Sequence, residues 1–540
     1  MKNVIKILLI AAALAAVFYP SNAGAAPETV YDVTTGCGNA PAATPNDGLD
    51  DSESIQACVD EIVTDGGGVL YFPPGVYDVE RASHDACTTR SCSIDITGAA
   101  NMTIRGEGVA SIVRKSGAGG GSGTDWWTFR AGDNENLAVQ DLTIDGNARS
   151  ITNVGEQTHE FNFQITGAGS STRVRFDRMF FYDSRGDCIR TVGNHTGHIA
   201  EEFIVTGSWF KDCKRGAIGV QRGVRHYVVT GNVMIGGTDQ QIDFESSSHG
   251  MVERFTISNN VIVASGTIAV ALSGSSFDVH QHSVFSGNFV LGRVSLYQNE
   301  NLIVSNNTVL VDDGPASAVL DARKVQDGIL ITNNVLLRMA GATAGPVVQI
   351  SHHGTGIPDT VILNGNRILQ QTNSMGVSIS SANRVVVTAN ALKYEGASGF
   401  GAGISIVATA ADITSFVAST NSITGPWLNG IQTSTSPNDI DSVMISDNVI
   451  DVATKGVLLS SGTGSYTTAP MVTGNVITAT TPIAAAQMEY VVGGNAGSVE
   501  QRVGYNAPSG ACVSGSTFAA TKPADEGFYV CTSAGWVLIE

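Results

Sequence analysis

The feature that most constrains this chain is a recurring short unit that reads apolar-x-apolar, small-Asn, apolar-x-apolar. It appears as VVTGNVMI (228–235), TISNNVIV (256–263), LITNNVLL (330–337), VVTANALK (386–393) and MISDNVID (444–451). The aligned asparagines are Asn232, Asn260, Asn288, Asn307, Asn334, Asn366, Asn390, Asn421, Asn448 and Asn475, separated by 19 to 32 residues and most often by 27 or 28. A fixed-length repeat would keep its period; coils joined by loops of variable length do not. Each unit holds two or three short strands with period-2 alternation and no helical stretch between them. That pattern predicts a β-solenoid, in which coils about 4.8 Å apart pair every backbone group with the coils on either side. Asparagines at one turn then stack, each amide bonding to its neighbours. A propeller is excluded, because its blades need four strands in about 40 residues or more.

The first repeats are preceded by a different signature, NDGLDDSESIQACVDEIVTDGGGVLYFPPGVYDV (46–79). Asp50 is a candidate N-cap with Glu53 three residues on, and Ile55, Val59 and Ile62 share one helical face. Gly66–Gly68 end that helix. Val69–Phe72 reads as the first strand, turned by Pro73-Pro74-Gly75. Such a helix would cover the open apolar end of a solenoid.

This segment resembles the opening of the pectate lyase superfamily domain, where an acidic "DG-x-DD" run, a short helix, a glycine cluster and "PpGxY" precede the coils. The resemblance is specific over 46–79 and is one of repeat style from there to about 495. It implies a right-handed parallel β-helix of about 12 coils, with an N-terminal capping helix, and an activity on polysaccharides. GDCI (186–189) is similar to the "DDC-I" segment of polygalacturonases, with Asp187 at its second acid and Gly186 at its first. The other short motifs of polygalacturonases and pectate lyases are missing.

Three expected segments follow: a signal peptide over 1–25, the β-helix domain over 26–495, and a small C-terminal β module over 496–540. Lys2 and Lys6, an apolar stretch from Ile7 to Phe18, and Ala23 and Ala25 have the order of a secretory signal, with cleavage near Ala25. Secretion to the periplasm or beyond suits the even count of 8 cysteines. Cys87–Cys92 and Cys512–Cys531 are the local pairs, Cys37–Cys58 and Cys188–Cys213 the longer ones. No later stretch reaches about 18 apolar residues, so no membrane insertion is expected. The net charge of −19 argues against a nucleic-acid partner, which needs clustered cations.

Chemistry on a solenoid wall must come from outward residues on consecutive coils. Three coils carry them: FFYDSRGDCIRT (180–191), WFKDCKRGAIGVQR (209–222) and TDQQIDFESSSHG (238–250). With Ile189, Ile218 and Ile242 aligned inward, Arg190, Gly219 and Asp243 face outward at one level, and Val192, Gln221 and Glu245 at the next. Asp243 and Glu245 then lie about 7 Å apart at their Cβ atoms. Gly219 would leave room beside them for a sugar ring. A carboxylate pair on a groove wall suits acid/base glycoside hydrolysis. Asp187, Arg190, Asp243 and Glu245 are therefore the candidate catalytic residues.

Residues 173–225 hold 10 basic and 6 acidic residues, a local excess of +4 in an acidic chain. This belt would attract an anionic glycan, uronate-containing or sulfated. Lys211, Lys214, Arg215, Gln221, Arg222 and His249 are candidate substrate contacts. Trp126 and Trp127, after the glycine-rich GAGGGSG (117–123), are candidate stacking platforms. A lyase would use the same belt to neutralise a uronate carboxylate while a base such as Arg190, Lys211, Lys214, Arg222, His226 or His249 removes the adjacent proton. Asp187, Asp239 and Asp243 are an alternative Ca²⁺ set; no dedicated metal site is read from the spacing. The expected function is cleavage of an acidic polysaccharide, by β-elimination or hydrolysis. The rival is a non-catalytic glycan-binding or surface protein.

Overall fold

In a computed structural model, the described residues run from 29 to 485, apart from 39, 82–90, 118–124, 152–153, 165–169, 194–199, 246–251, 274–279, 313–316, 352–356, 381 and 397–398; strand backbone is also described between Tyr490 and Ile539. The chain divides into two compact units. One runs to Ala269 with residues 274–278; the other comprises Val270–Ser273 and the chain from 279 onward.

Both units are built the same way. Short strands pair in parallel with the strand one coil earlier and one coil later, as the repeat predicts. The architecture is a right-handed parallel β-solenoid.

The asparagine column forms within each unit. In the first, Asn232 Nδ2 donates to Asn260 Oδ1 at 3.0 Å. In the second, the same bond joins Asn288 to Asn307, Asn334, Asn366, Asn390, Asn421, Asn448 and Asn475 in succession, at 2.8–3.0 Å. Each of these Oδ1 atoms also accepts the backbone N–H of the preceding asparagine, as in Asn390 N to Asn421 Oδ1 at 3.0 Å. The buried turn thus has its polar groups paired, which a dry interior requires.

Helix α1 (Ser52–Asp65) buries Ile55, Cys58, Val59 and Ile62, the face read from the sequence. Its N-cap is Asp51, one residue later than expected, and Asp51 caps nothing with its side chain. Asp51 Oδ1 instead accepts the Thr44 N–H at 2.8 Å, while Asp50 Oδ1 takes the Ser52 N–H at 3.0 Å. Asp50 thus accepts the first N–H of the helix, two residues on, rather than the one three residues on that a capping box uses. Gly66 ends the helix in the left-handed conformation, as predicted. Disulfides join Cys37 to Cys58 and Cys188 to Cys213. Cys92 is also disulfide-bonded. Cys87 and Cys512 lie outside the described residues, as does the side chain of Cys531.

In unit 1 the strands that matter are β1 (Trp126–Ala131), β2 (Phe161–Gln164), β3 (Asp187–Val192), β4 (Gly216–Gln221) and β5 (Ile242–Glu245). Phe129, Phe161, Ile189, Ile218 and Ile242 pair in succession and point into the core, where the Phe129 and Phe161 rings stack at 4.4 Å.

Candidate functional site

The register of β3, β4 and β5 is the one the sequence predicts. Arg190 pairs with Gly219 and Gly219 with Asp243; Val192 pairs with Gln221 and Gln221 with Glu245. Ile242 and Phe244 are fully buried, so Asp243 and Glu245 project from the opposite face of their strand.

The space at Gly219 is already filled, which corrects the expectation of a sugar seat there. A Cβ on Gly219 would lie 2.9 Å from Asp187 Oδ2, and one on Gly216 would lie 3.2 Å from Oδ1. The two glycines form a seat for the Asp187 carboxyl. That carboxyl is 3 % exposed, with His159 Nδ1 at 3.3 Å and Arg215 Nε at 3.8 Å. Burial pushes its pKa up to about 6, against the pull of Arg215 and Arg190 and with a further push from Glu245 and Asp239.

Asp243 is pushed further, to about 8, first by burial and then by the Glu245 and Asp187 charges; Arg215 opposes the shift. Asp243 and Glu245 stand two residues apart on the outward side of β5, close enough for the Glu245 charge to act on Asp243.

A hydrogen-bond chain crosses the wall from this pair. Gln221 Nε2 donates to Glu245 Oε2 at 2.7 Å, and Arg190 Nη2 to Gln221 Oε1 at 2.8 Å. Arg190 Nη1 donates to Gln157 Oε1 and lies 2.8 Å from His159 Nε2. His159 Nδ1 accepts the Asp187 N–H at 2.9 Å. His159 Nε2 also lies 3.2 Å from Gln157 Oε1.

His159 is held from behind. Lys115 Nζ donates to the His159 carbonyl at 3.1 Å and lies 3.1 Å from both Glu160 carboxylate oxygens. Glu160 also accepts the Ser184 and Thr128 hydroxyls. Lys115 and Glu160 are 1 % and 0 % exposed at their side chains. The lysine pKa is lowered by burial and partly restored by Glu160.

Gln157, His159, Lys115 and Glu160 escaped the sequence reading. Extending the alignment one coil earlier, with Phe161 opposite Ile189, brings His159 beside Asp187.

The other candidates divide. Arg215 joins the carboxylates, and its Nη1 has no hydrogen-bond partner among the described residues. Arg222 is half-buried just after β4, whereas Lys211 and Lys214 are exposed before it. Trp126 and Trp127 are buried, with their indole N–H groups donating to Ser93 Oγ and the Gln157 carbonyl, both at 2.9 Å. Neither is a stacking platform, because β1 is covered on both faces. His226 lies on a different strand set, between Glu201 (3.1 Å) and Arg254 (3.2 Å). His249 lies outside the described residues. Much of the basic belt is spent on local ion pairs: Arg173 with Glu135, Arg178 with Asp141 and Arg225 with Glu253. Asp239 is exposed, and among the described residues no group of three His, Cys, Asp or Glu side chains is arranged to hold a metal, the Asp187–Asp239–Asp243 set included.

No family model matches the chain. Among curated proteins it is similar to mannuronan C5-epimerase AlgE5 of Azotobacter vinelandii, 25 % identical over 248 residues that cover 43 % of this chain and 22 % of that protein. Mannuronan C5-epimerase AlgE2 of the same organism matches with the same identity and coverage. The chain thus spans about a fifth of the length of these relatives. Among solved structures, the A-module of A. vinelandii mannuronan C-5 epimerase AlgE4 has 13 % identity and a TM-score of 0.43 over 84 % of this chain and 99 % of that one. The tailspike protein of E. coli bacteriophage HK620, in complex with a pentasaccharide, has 13 % identity and a TM-score of 0.44 over 91 % and 86 %.

Proposed function

We propose that the chain is a secreted carbohydrate-active enzyme that acts on an acidic polysaccharide at the β3–β5 wall, by proton transfer next to a uronate carboxylate. The observation that supports this reading is the gathering of Asp187, Asp243 and Glu245 at the end of the Arg190–Gln221 hydrogen-bond chain. A buried carboxyl that keeps its proton beside a second carboxyl gives the site one group to donate a proton and another to take one. Arg215, with a donor to spare, neutralises the uronate carboxylate and so acidifies the adjacent C5–H. Removal of that proton leaves an enolate. Reprotonation from the opposite face, by water reaching that side of the ring, inverts C5, which is the reaction named for the curated relatives. Expulsion of the 4-linked oxygen instead breaks the chain and leaves an unsaturated uronate. The disulfides fit an oxidising compartment, and residues 1–25 serve as the secretory signal. Helix α1 covers one end of the coils.

Incubating the protein with mannuronan in D₂O separates the outcomes. Either deuterium at C5, read by proton NMR and marking epimerisation, or ultraviolet absorbance from an unsaturated uronate, marking elimination, is expected. Reducing ends without either signal would mean hydrolysis and sink the reading. Retention on the polymer without turnover would mean a binding protein.

A further inference from the structure

Unit 2, taken alone, carries a second concentration of charge on its outer wall. Strand β6 (Phe289–Tyr297) and strand β7 (Leu320–Arg323) pair with Ser295 opposite Asp321 and Tyr297 opposite Arg323. Val294, Leu296, Leu320 and Ala322 are buried inward. Arg293, Tyr297, Asp321 and Arg323 therefore belong to the opposite, outward set. Arg293 follows Gly292, whose φ of +126° bends β6.

The acid at this place is fully committed. Asp321 is 2 % exposed, and Arg323 grips both its oxygens, Nε at 2.9 Å and Nη2 at 2.7 Å. Arg293 has no such partner. It is half-buried, and its Nε is out of contact with solvent and without a hydrogen bond among the described residues. The charges that act on it are Asp321, already paired with Arg323, and two cations that repel it, Arg323 and the buried Arg338. Lys324 adds a further cation, with Nζ 4.9 Å from the centre of the Tyr297 ring. Three cations on one face thus stand against a single carboxylate. A guanidinium stays charged even when burial opposes it, and a half-desolvated charge without a counter-ion is costly.

We propose that Arg293, Arg323 and Lys324 form a binding site for an oxyanion, the carboxylate or sulfate group of an acidic sugar or a free inorganic oxyanion. Arg293 supplies a planar fork that fits two oxygens at once. Arg323, held in place by Asp321, and Lys324 flank it.

The test is thermal melting of the full chain in sodium sulfate against sodium chloride at constant ionic strength, for wild type, Arg293→Gln and Arg384→Gln. Sulfate should raise the wild-type midpoint by several degrees beyond chloride. Arg384→Gln, at an exposed arginine elsewhere in unit 2, should keep that rise. Arg293→Gln should lose most of it, yet melt no lower than wild type in chloride, because a stranded charge is gone. An unchanged rise in Arg293→Gln, or an equal loss in Arg384→Gln, would overturn the site. Sulfated and uronate oligosaccharides acting at tenfold lower concentration than inorganic sulfate would identify a glycan acid as the occupant; equal potency would identify the free anion.

Discussion

The Asp187 carboxyl occupies the place where Gly219 has no side chain, with Oδ2 2.9 Å from the position of a Cβ. The glycine is opposite Arg190 and Asp243 on the adjoining strands, so the buried acid is wedged between the coils that carry the other candidate catalytic groups. Gly219→Ala should force Asp187 out of that seat. Overpacking of this kind costs about 1–3 kcal/mol. Turnover of mannuronan should fall at least tenfold, while the far-ultraviolet spectrum of the solenoid is kept. Full activity in the alanine variant would remove Asp187 from the site.

The two displaced carboxyls make stability depend on pH. Asp187 and Asp243 hold their protons to about 6 and about 8 in the fold, against 3.8 as the ordinary value. The folded state therefore binds more protons than the unfolded chain, and stability falls as pH rises through that window. The melting midpoint of the wild type should drop steadily between pH 4 and 8. Asp243→Asn should flatten the upper half of that decline, and Asp187→Asn should lessen the lower half, where Asp51, also pushed up to about 6 by burial, keeps part of the slope. A midpoint that climbs with pH over this range in the wild type would contradict the assignment.

Lys115 and Glu160 form an ion pair sealed from water, with the Thr128 and Ser184 hydroxyls completing the acid's bonds. Removing one partner strands the other, at about 3–5 kcal/mol. Lys115→Met alone and Glu160→Leu alone should each lower the denaturant midpoint sharply. The double variant should recover much of the loss. If the losses simply add, the pair is not coupled as its geometry implies.

The asparagine column allows a graded test. Asn390 Nδ2 donates to the carbonyls of Leu363 and Thr388 and to Asn421 Oδ1, and its own Oδ1 accepts two bonds from Asn366. Asn390→Ala should cost about 1–3 kcal/mol, the range for leaving buried polar groups unpaired. Asn475 is half-exposed, and its Nδ2 donates to the Ile445 and Thr473 carbonyls with no further asparagine of the column among the described residues to receive it. Asn475→Ala should cost clearly less in the same chemical denaturation.

The coil register was legible because inward apolar residues and turn asparagines mark each rung; Ile189, Ile218 and Ile242 align as predicted. The Arg190–Gln221–Glu245 connection follows from that alignment. Gln157 and His159 were not found because they precede β2, where loop lengths vary and no asparagine marks the turn. Trp126 and Trp127 misled for a related reason. Alternation assigns one residue of such a pair to the wall, but it does not reveal that other chain covers that wall. Side-chain reach was also invisible: the alternation exposes Gly219, but not that the Asp187 carboxyl folds into the space beside it.

The asparagine column has a direction. Each side-chain amide from Asn307 to Asn448 donates to the asparagine oxygen of the later coil and receives from the asparagine of the earlier one, with the same atoms at each step. Such a joint is interchangeable: Asn334 meets Asn366 as Asn366 meets Asn390. A whole turn of chain can therefore be removed or duplicated between two asparagines without leaving an unmatched donor or acceptor, so the length of this wall is free to change by entire turns while its cross-section stays the same.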